Sequence, residues 1–253
     1  MTRDVLVSDP AFYLLAVPVV LLVGISKGGF GGGAGLVAVP LLSWVMPLPQ
    51  AAAILLPILC AMDLFALRAY RGNYSAANLR RLLPGGLAGI AGGALAFGVL
   101  DERWLRVLVG VIALSFVVQW ALGSQSSKAT APGAVSGVLW GAVGGFASTL
   151  AHAGGPPVSV YLLPQRLPPA LFVGTTVIVF TMFNYVKLVP YAWLGQLSAD
   201  NLATSLVLLP LAPLGIHLGR WLLRRIDGVL FYRIVYGLLL ITGVKLISEV
   251  FVD

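Results

Sequence analysis

Gly72-Asn-Tyr-Ser-Ala-Ala-Asn-Leu79 returns later in the chain as Gly195-Gln-Leu-Ser-Ala-Asp-Asn-Leu202, identical at five of eight positions. Each copy lies between long apolar runs: 50–70 and 80–99 flank the first, 168–192 and 201–225 the second. The similarity continues outward. Leu82-Leu-Pro84 matches Leu208-Leu-Pro210, Gly89-Ile90 matches Gly215-Ile216, and Gly93 matches Gly219. Upstream, Gly28-Gly-Phe30 matches Gly144-Gly-Phe146. No single offset serves all of these matches, but their order is kept. The chain reads as a duplication, with a first repeat at 1–122, a polar linker at 123–132 and a second repeat at 133–253.

Charge separates the two copies. The loop at 68–81 holds Arg68, Arg71, Arg80 and Arg81, whereas its counterpart near 193–200 holds only Asp200. The turn at 101–106 carries Asp101, Glu102, Arg103 and Arg106. Its counterpart at 220–233 is the more basic, with Arg220, Arg224, Arg225, Asp227 and Arg233. In a membrane protein the loops rich in Lys and Arg stay in the cytoplasm. Equivalent loops then lie on opposite faces, which predicts an inverted-topology repeat. The linker, with Lys128, falls inside and both termini outside. This requires an odd number of crossings per half, either five or three plus a re-entrant pair of short helices.

The reading as a membrane protein rests on composition. Of 253 residues, 59% are hydrophobic and 10% charged, with a mean hydropathy of +0.96. Soluble domains carry roughly 25% charged residues. The apolar residues form ten runs, near 11–25, 36–46, 50–70, 80–99, 103–122, 133–150, 154–163, 168–192, 201–225 and 229–250. They are continuous, without the alternating polarity of barrel strands, so the fold class is an all-α polytopic membrane protein. Three runs in each half are long enough to span a bilayer core of ~30 Å. The first two of each half are shorter and meet at glycine-rich sequence, which predicts glycine-broken or re-entrant helices. Arg3 is offset by Asp4 and Asp9, so the first run is expected to be retained, not cleaved as a signal. Trp44, Tyr70, Trp104, Trp120, Tyr191 and Trp193 fall near segment ends, where aromatic rings favour the bilayer interface. Pro40, Pro57 and Pro210 predict local kinks.

Several function classes fall away. The net charge of +7 is spread over loops and forms no nucleic-acid patch. The lone Cys60 lies in an apolar run and reads as a buried structural thiol. No zinc-protease, nucleophile-elbow or Walker motif is present, so no enzyme, cofactor, metal or ATP-driven pump is implied. The partners expected are the lipid bilayer and a small anionic substrate. Homo-oligomerisation is left open by the sequence.

The candidate binding residues gather at the two glycine clusters, Ser26-Lys-Gly-Gly-Phe-Gly-Gly-Gly-Ala-Gly35 and Gly144-Gly-Phe-Ala-Ser-Thr-Leu-Ala-His-Ala-Gly-Gly-Pro156. A helix that starts beyond such a break points uncovered N–H groups and its positive dipole end at the break, which makes an anion site. Gly28, Gly32, Gly33, Gly154 and Gly155 are the candidates, against the alternative of close helix packing through small residues. Lys27 is expected either to attract an anion or to snorkel at the cytoplasmic interface. Asn184 and Lys187, three apart on one helix face, offer amide donors and a cation to an oxyanion, again with snorkelling as the alternative for the lysine. Ser148 and His152 offer a hydroxyl and an imidazole to substrate or proton, or a helix-bridging hydrogen bond. Asp63 is expected to neutralise a lysine, to carry a coupling proton or, as the favoured reading, to pair with Arg68. His217 has no evident role.

These stretches bear a family likeness. Ser26-Lys-Gly-Gly-Phe-Gly-Gly-Gly33, followed by Val39-Pro40-Leu-Leu, resembles the first signature of the sulfite exporter TauE/SafE family of bacterial membrane permeases. Gly154-Gly-Pro-Pro-Val-Ser-Val-Tyr-Leu-Leu163, then Leu167-Pro-Pro and Phe183-Asn-Tyr-Val-Lys-Leu188, resembles the second. The similarity runs over about 12–248. It implies movement of sulfite, a sulfonate or a related small organic anion across the bacterial inner membrane; the inverted halves are expected to move it by alternating access. An anion channel and a non-transporting membrane scaffold are the competing readings. The second copy, Ala151-His-Ala-Gly-Gly-Pro156, is poorer in glycine than the first, so the two copies are expected to bind unequally.

Overall fold

Apolar runs interrupted by glycine and proline dictate helices of two lengths, and both lengths are found. A computed structural model of the chain describes residues 10–32, 35–42, 44–96 and 133–227 continuously. It also describes Val7 and scattered positions at 101–121 and 229–248. Gly33, the linker at 123–132 and most of the runs at 103–122 and 229–250 lie outside the described residues. The helices are α1 (Pro10–Gly29), α2 (Gly35–Leu42), α3 (Leu48–Ala69) and α4 (Ala76–Ala96) in the first half. The second half holds α5 (Ala134–Ala151), α6 (Gly155–Leu162), α7 (Pro169–Trp193), α8 (Ala199–Leu208) and α9 (Leu211–Leu223). No strand occurs among the described residues.

Among the described residues four helices, α1, α3, α5 and α7, are long and apolar enough to cross a membrane. A fifth span results if α8 and α9, bent by 45° at Leu209-Pro210, count as one. The kink expected at Pro210 is therefore present, and it divides the run at 201–225 into two helices. The short helices α2 and α6 have eight residues each. At 1.5 Å per residue each reaches ~12 Å, less than half of a bilayer core.

α1 runs further than its apolar run suggests, through Lys27-Gly28-Gly29. Gly28 and Gly29 are not break residues. A Cβ on Gly28 would lie 2.5 Å from the Ile216 carbonyl oxygen, and one on Gly29 would fall on that of Gly219. They are glycine because α9 lies against them. The chain turns instead at Gly31 and Gly32, with φ of 73° and 80°, a left-handed conformation that glycine adopts without steric cost.

Two glycine-lined crossings hold the halves together. α1 packs along α9, with Gly24 against Gly215 and Gly29 against Gly219. α4 packs along α5, with Gly85 against Val138, Gly89 against Ala142 and Gly93 against Thr149. Residue numbers rise together along both contacts, so each pair is parallel. The spacing of four between Gly85, Gly89 and Gly93 is the small-residue stripe that lets backbones approach in lipid. The pairing is exchanged: the first helix of each half lies on the fourth segment of the other. The third helices, α3 and α7, cross antiparallel, with Asp63 beside Asn184 and Tyr70 beside Gly174.

Candidate functional site

The C-terminal ends of α1 and α5 meet α3 and α7 in the interior. The last four carbonyls of a helix lack intrahelical partners, so these two ends need donors. Tyr70 on α3 donates to Gly28 O, and Tyr191 on α7 donates to Thr149 O at 2.7 Å. Each pair is separated by 42 residues. The offset from Gly28 to Thr149 is 121, the same as from Tyr70 to Tyr191, and the same as from Asp63 to Asn184, which bond to each other. The geometry thus sets the register of the first helices at 121, in place of the 116 given by matching Gly28 to Gly144. In that register Gly31 corresponds to His152, and both are left-handed, His152 with φ of 53°.

Both lysines are buried, Lys27 at 4% and Lys187 at 0% exposure. Neither snorkels. Lys27 Nζ stands 2.7 Å from Asp63 Oδ1 and donates to Leu59 O at 3.3 Å. Asn184 Nδ2 donates to Asp63 Oδ2 at 2.7 Å. Asp63 therefore pairs with Lys27, not with Arg68, because α3 turns the two acidic and basic positions to different faces. Arg68 is exposed and lines a separate crevice of about 540 Å³ with Arg71 and Tyr74.

Lys187 has a different environment. Its Nζ donates to Ser148 O at 3.0 Å and Ser148 Oγ at 2.9 Å, and lies 2.8 Å from His152 Nδ1. His152 Nε2 lies 2.8 Å from Ala52 O. A carbonyl only accepts and an ammonium only donates, so the ring carries its hydrogen on Nε2 and is neutral. Among the described residues Asp63 is the only buried carboxylate, and no carboxylate lies within ion-pair distance of Lys187. The negative end of the α5 dipole, at Ser148 O, supplies partial compensation only.

A cavity of about 30 Å³ adjoins this cluster, room for a few waters. Six of the expected residues line it: Lys27, Gly32, Ser148, His152, Gly155 and Asn184. Lys187 reaches it through Ser148 and His152. Gly28 and Gly154 do not line it. Gly28 serves the α1–α9 contact, and a Cβ on Gly154 would crowd Gly144 O at 2.7 Å. Gly33 lies outside the described residues. The supply of free amides is smaller than the glycines suggest. Pro156 and Pro157 have no N–H, and the Val158 N–H is taken by Gly154 O at 3.3 Å.

Sequence reasoning missed Val23, Leu59 and Phe180, the apolar part of the cavity lining. It also placed Tyr70 and Tyr191 at the bilayer interface. Both are buried, at 6% and 0%, since their hydroxyls serve helix ends within the core. The expectation suits Trp44, Trp104 and Trp193, which are 65%, 66% and 79% exposed. Cys60 is a buried free thiol, and His217 is exposed.

The family model described as "Sulfite exporter TauE/SafE" matches residues 16–246, nearly the whole chain. The chain belongs to the sulfite exporter TauE/SafE family. It is thus a multi-pass membrane transporter, consistent with the all-helical architecture. One relative, the "Probable inner membrane transporter protein TsaS" of Comamonas testosteroni, is 31% identical over 169 residues. That alignment covers 65% of this chain and 69% of the relative. No solved structure matches.

Proposed function

We propose that the chain is a secondary transporter of the bacterial inner membrane that moves a small sulfur-containing or carboxylate anion by alternating access. The observation that carries this reading is Lys187: a cation buried among neutral acceptors, where residues from both halves converge. A buried charge is ordinarily paired, and an oxyanion supplies the missing partner. The family and the named TsaS relative support transport of sulfur-containing anions. The exchanged pairing of first and fourth segments, with antiparallel α3 and α7, supports two halves in inverted topology that rock about the cluster. The four arginines at 68–81 favour a cytoplasmic placement of that loop and of the linker, with both termini outside. Export of an anion from a negative-inside cell then proceeds downhill, by ~2.3 kcal/mol per charge per 100 mV.

Purified protein in proteoliposomes tests the reading. The panel is labelled sulfite, sulfoacetate, taurine, sulfate and small carboxylates. Saturable flux accelerated by unlabelled substrate on the opposite side supports a carrier. Flux that neither saturates nor shows this acceleration identifies a channel. Absence of flux and binding across the panel identifies a scaffold.

A further inference from the structure

The two buried lysines are not equivalent, and their difference sets a charge on the cluster. Lys27 and Asp63 cancel at 2.7 Å. His152 is neutral, as its two ring contacts require. The Tyr191 hydroxyl keeps its proton, since it donates to Thr149 O. Cys60, one turn before Asp63, is a buried free thiol and adds no charge to the cluster. What remains is Lys187, whose ammonium form gives the cluster a single positive charge.

We infer that this cluster selects monovalent anions, with Lys187 as the cation that takes the anionic head. The inference rests on the transport reading above and names the charge class of its substrate. An anion oxygen that replaces Ser148 Oγ or His152 Nδ1 at Lys187 puts a charged acceptor where a neutral one stood, adding ion-pair attraction to the hydrogen bond. At Lys27 the incoming anion meets a cation already held by a tethered carboxylate. One negative charge brings the cluster to neutrality. A second leaves a net buried charge, which costs several kcal/mol per uncompensated ion in a low-dielectric interior. The cavity, at about 30 Å³, admits a head group only as the Lys187 contacts open. The anion therefore enters by exchange for the Ser148 and His152 contacts.

The test compares methanesulfonate with sulfate, which share a tetrahedral sulfur head and differ by one charge. Binding to the full-length purified protein is measured by titration calorimetry. The wild type is expected to bind methanesulfonate at least ~10-fold more tightly than sulfate. Asp63→Asn raises the cluster by one positive charge and is expected to shift the ratio at least ~10-fold towards sulfate. Asn184→Asp lowers it by one and is expected to weaken methanesulfonate by a similar factor. Size-exclusion profiles confirm that each variant is folded, and the wild-type ratio alone decides the matter if Asp63→Asn is not. Tighter sulfate binding by the wild type overturns the inference, as does an unchanged ratio in folded Asp63→Asn. Binding of neither probe also overturns it, while flux of another anion in proteoliposomes leaves the transport reading standing. Loss of both binding and all flux removes the transport reading itself.

Discussion

Lys27→Met removes one partner from a buried ion pair and leaves the other. Asp63 is 0% exposed, and its Oδ1 faces Lys27 while its Oδ2 accepts from Asn184. The variant keeps the Asn184 bond and strands a carboxylate charge in the interior. Breaking a buried pair in this way costs about 3–5 kcal/mol. At about 2–4 °C per kcal/mol for a chain of this size, the melting temperature should fall by roughly 6–20 °C. Removing both charges with Lys27→Met and Asp63→Asn together should recover most of this, because a buried pair replaced as a unit is often close to neutral in stability. The amide that Asp63→Asn introduces still faces Asn184. The assay is thermal unfolding of purified protein in one detergent, run as a double-mutant cycle. The reasoning fails if Lys27→Met melts with the wild type, which would return Lys27 to the bilayer interface. It fails equally if the double variant melts as low as the single.

The glycine crossings should be intolerant of side chains: a Cβ at Gly89 falls on the Ala142 carbonyl. Gly89→Val should therefore cost ~1–3 kcal/mol or more and reduce monodisperse protein on size exclusion, while Gly133→Ala, with open space around it, should not. Tyr70→Phe and Tyr191→Phe each remove one hydroxyl bond to a helix-end carbonyl. Each should lower stability by ~0.5–1.5 kcal/mol, and thermal melts that differ widely between the two would count against their equivalence. Reporter fusions after Arg81 and within 124–131 should report cytoplasm and those near Gly195 the exterior. Positions 75 and 198 on one side of the membrane would exclude inverted halves.

Much of the fold was legible because lipid leaves few choices. An apolar run of ~20 residues must be a helix, and the described helices fall within a few residues of the runs read from sequence. The glycine clusters were harder, because two causes look alike in a sequence. Gly28 and Gly29 are small for the sake of α9, whereas Gly31 and Gly32 are glycine for their left-handed backbone. Only the neighbour across the crossing tells them apart, and that neighbour lies nearly 190 positions away, at 216 and 219. For the same reason Gly28 aligned with Gly144 when its equivalent is Thr149. The polar residues that line the candidate cavity were legible, but their pairings were not. Asn184 and Lys187 share a face by helical period alone. The pairing of Asp63 with Lys27 depends on how α1 crosses α3, which neither segment encodes locally.

In the register of 121 the two halves carry different charges at equivalent positions. In the first half Lys27 on α1 faces Asp63 on α3. The corresponding positions of the second half are Ser148 and Asn184, both uncharged, so that half has no equivalent ion pair. Its lysine is at 187, in the place of Ala66, one turn beyond the equivalent of Asp63. There it reaches the end of α5 and the imidazole of His152, which occupies the left-handed position that Gly31 holds in the other half. Two identical halves, each with its own lysine and aspartate, would sum to zero and offer an anion nothing. One cancelled pair beside one uncancelled lysine leaves a single charge in the cluster. The unequal glycine content of the two signatures goes with this difference: Gly31 turns the first break, and His152 at the second sets a neutral acceptor against Lys187.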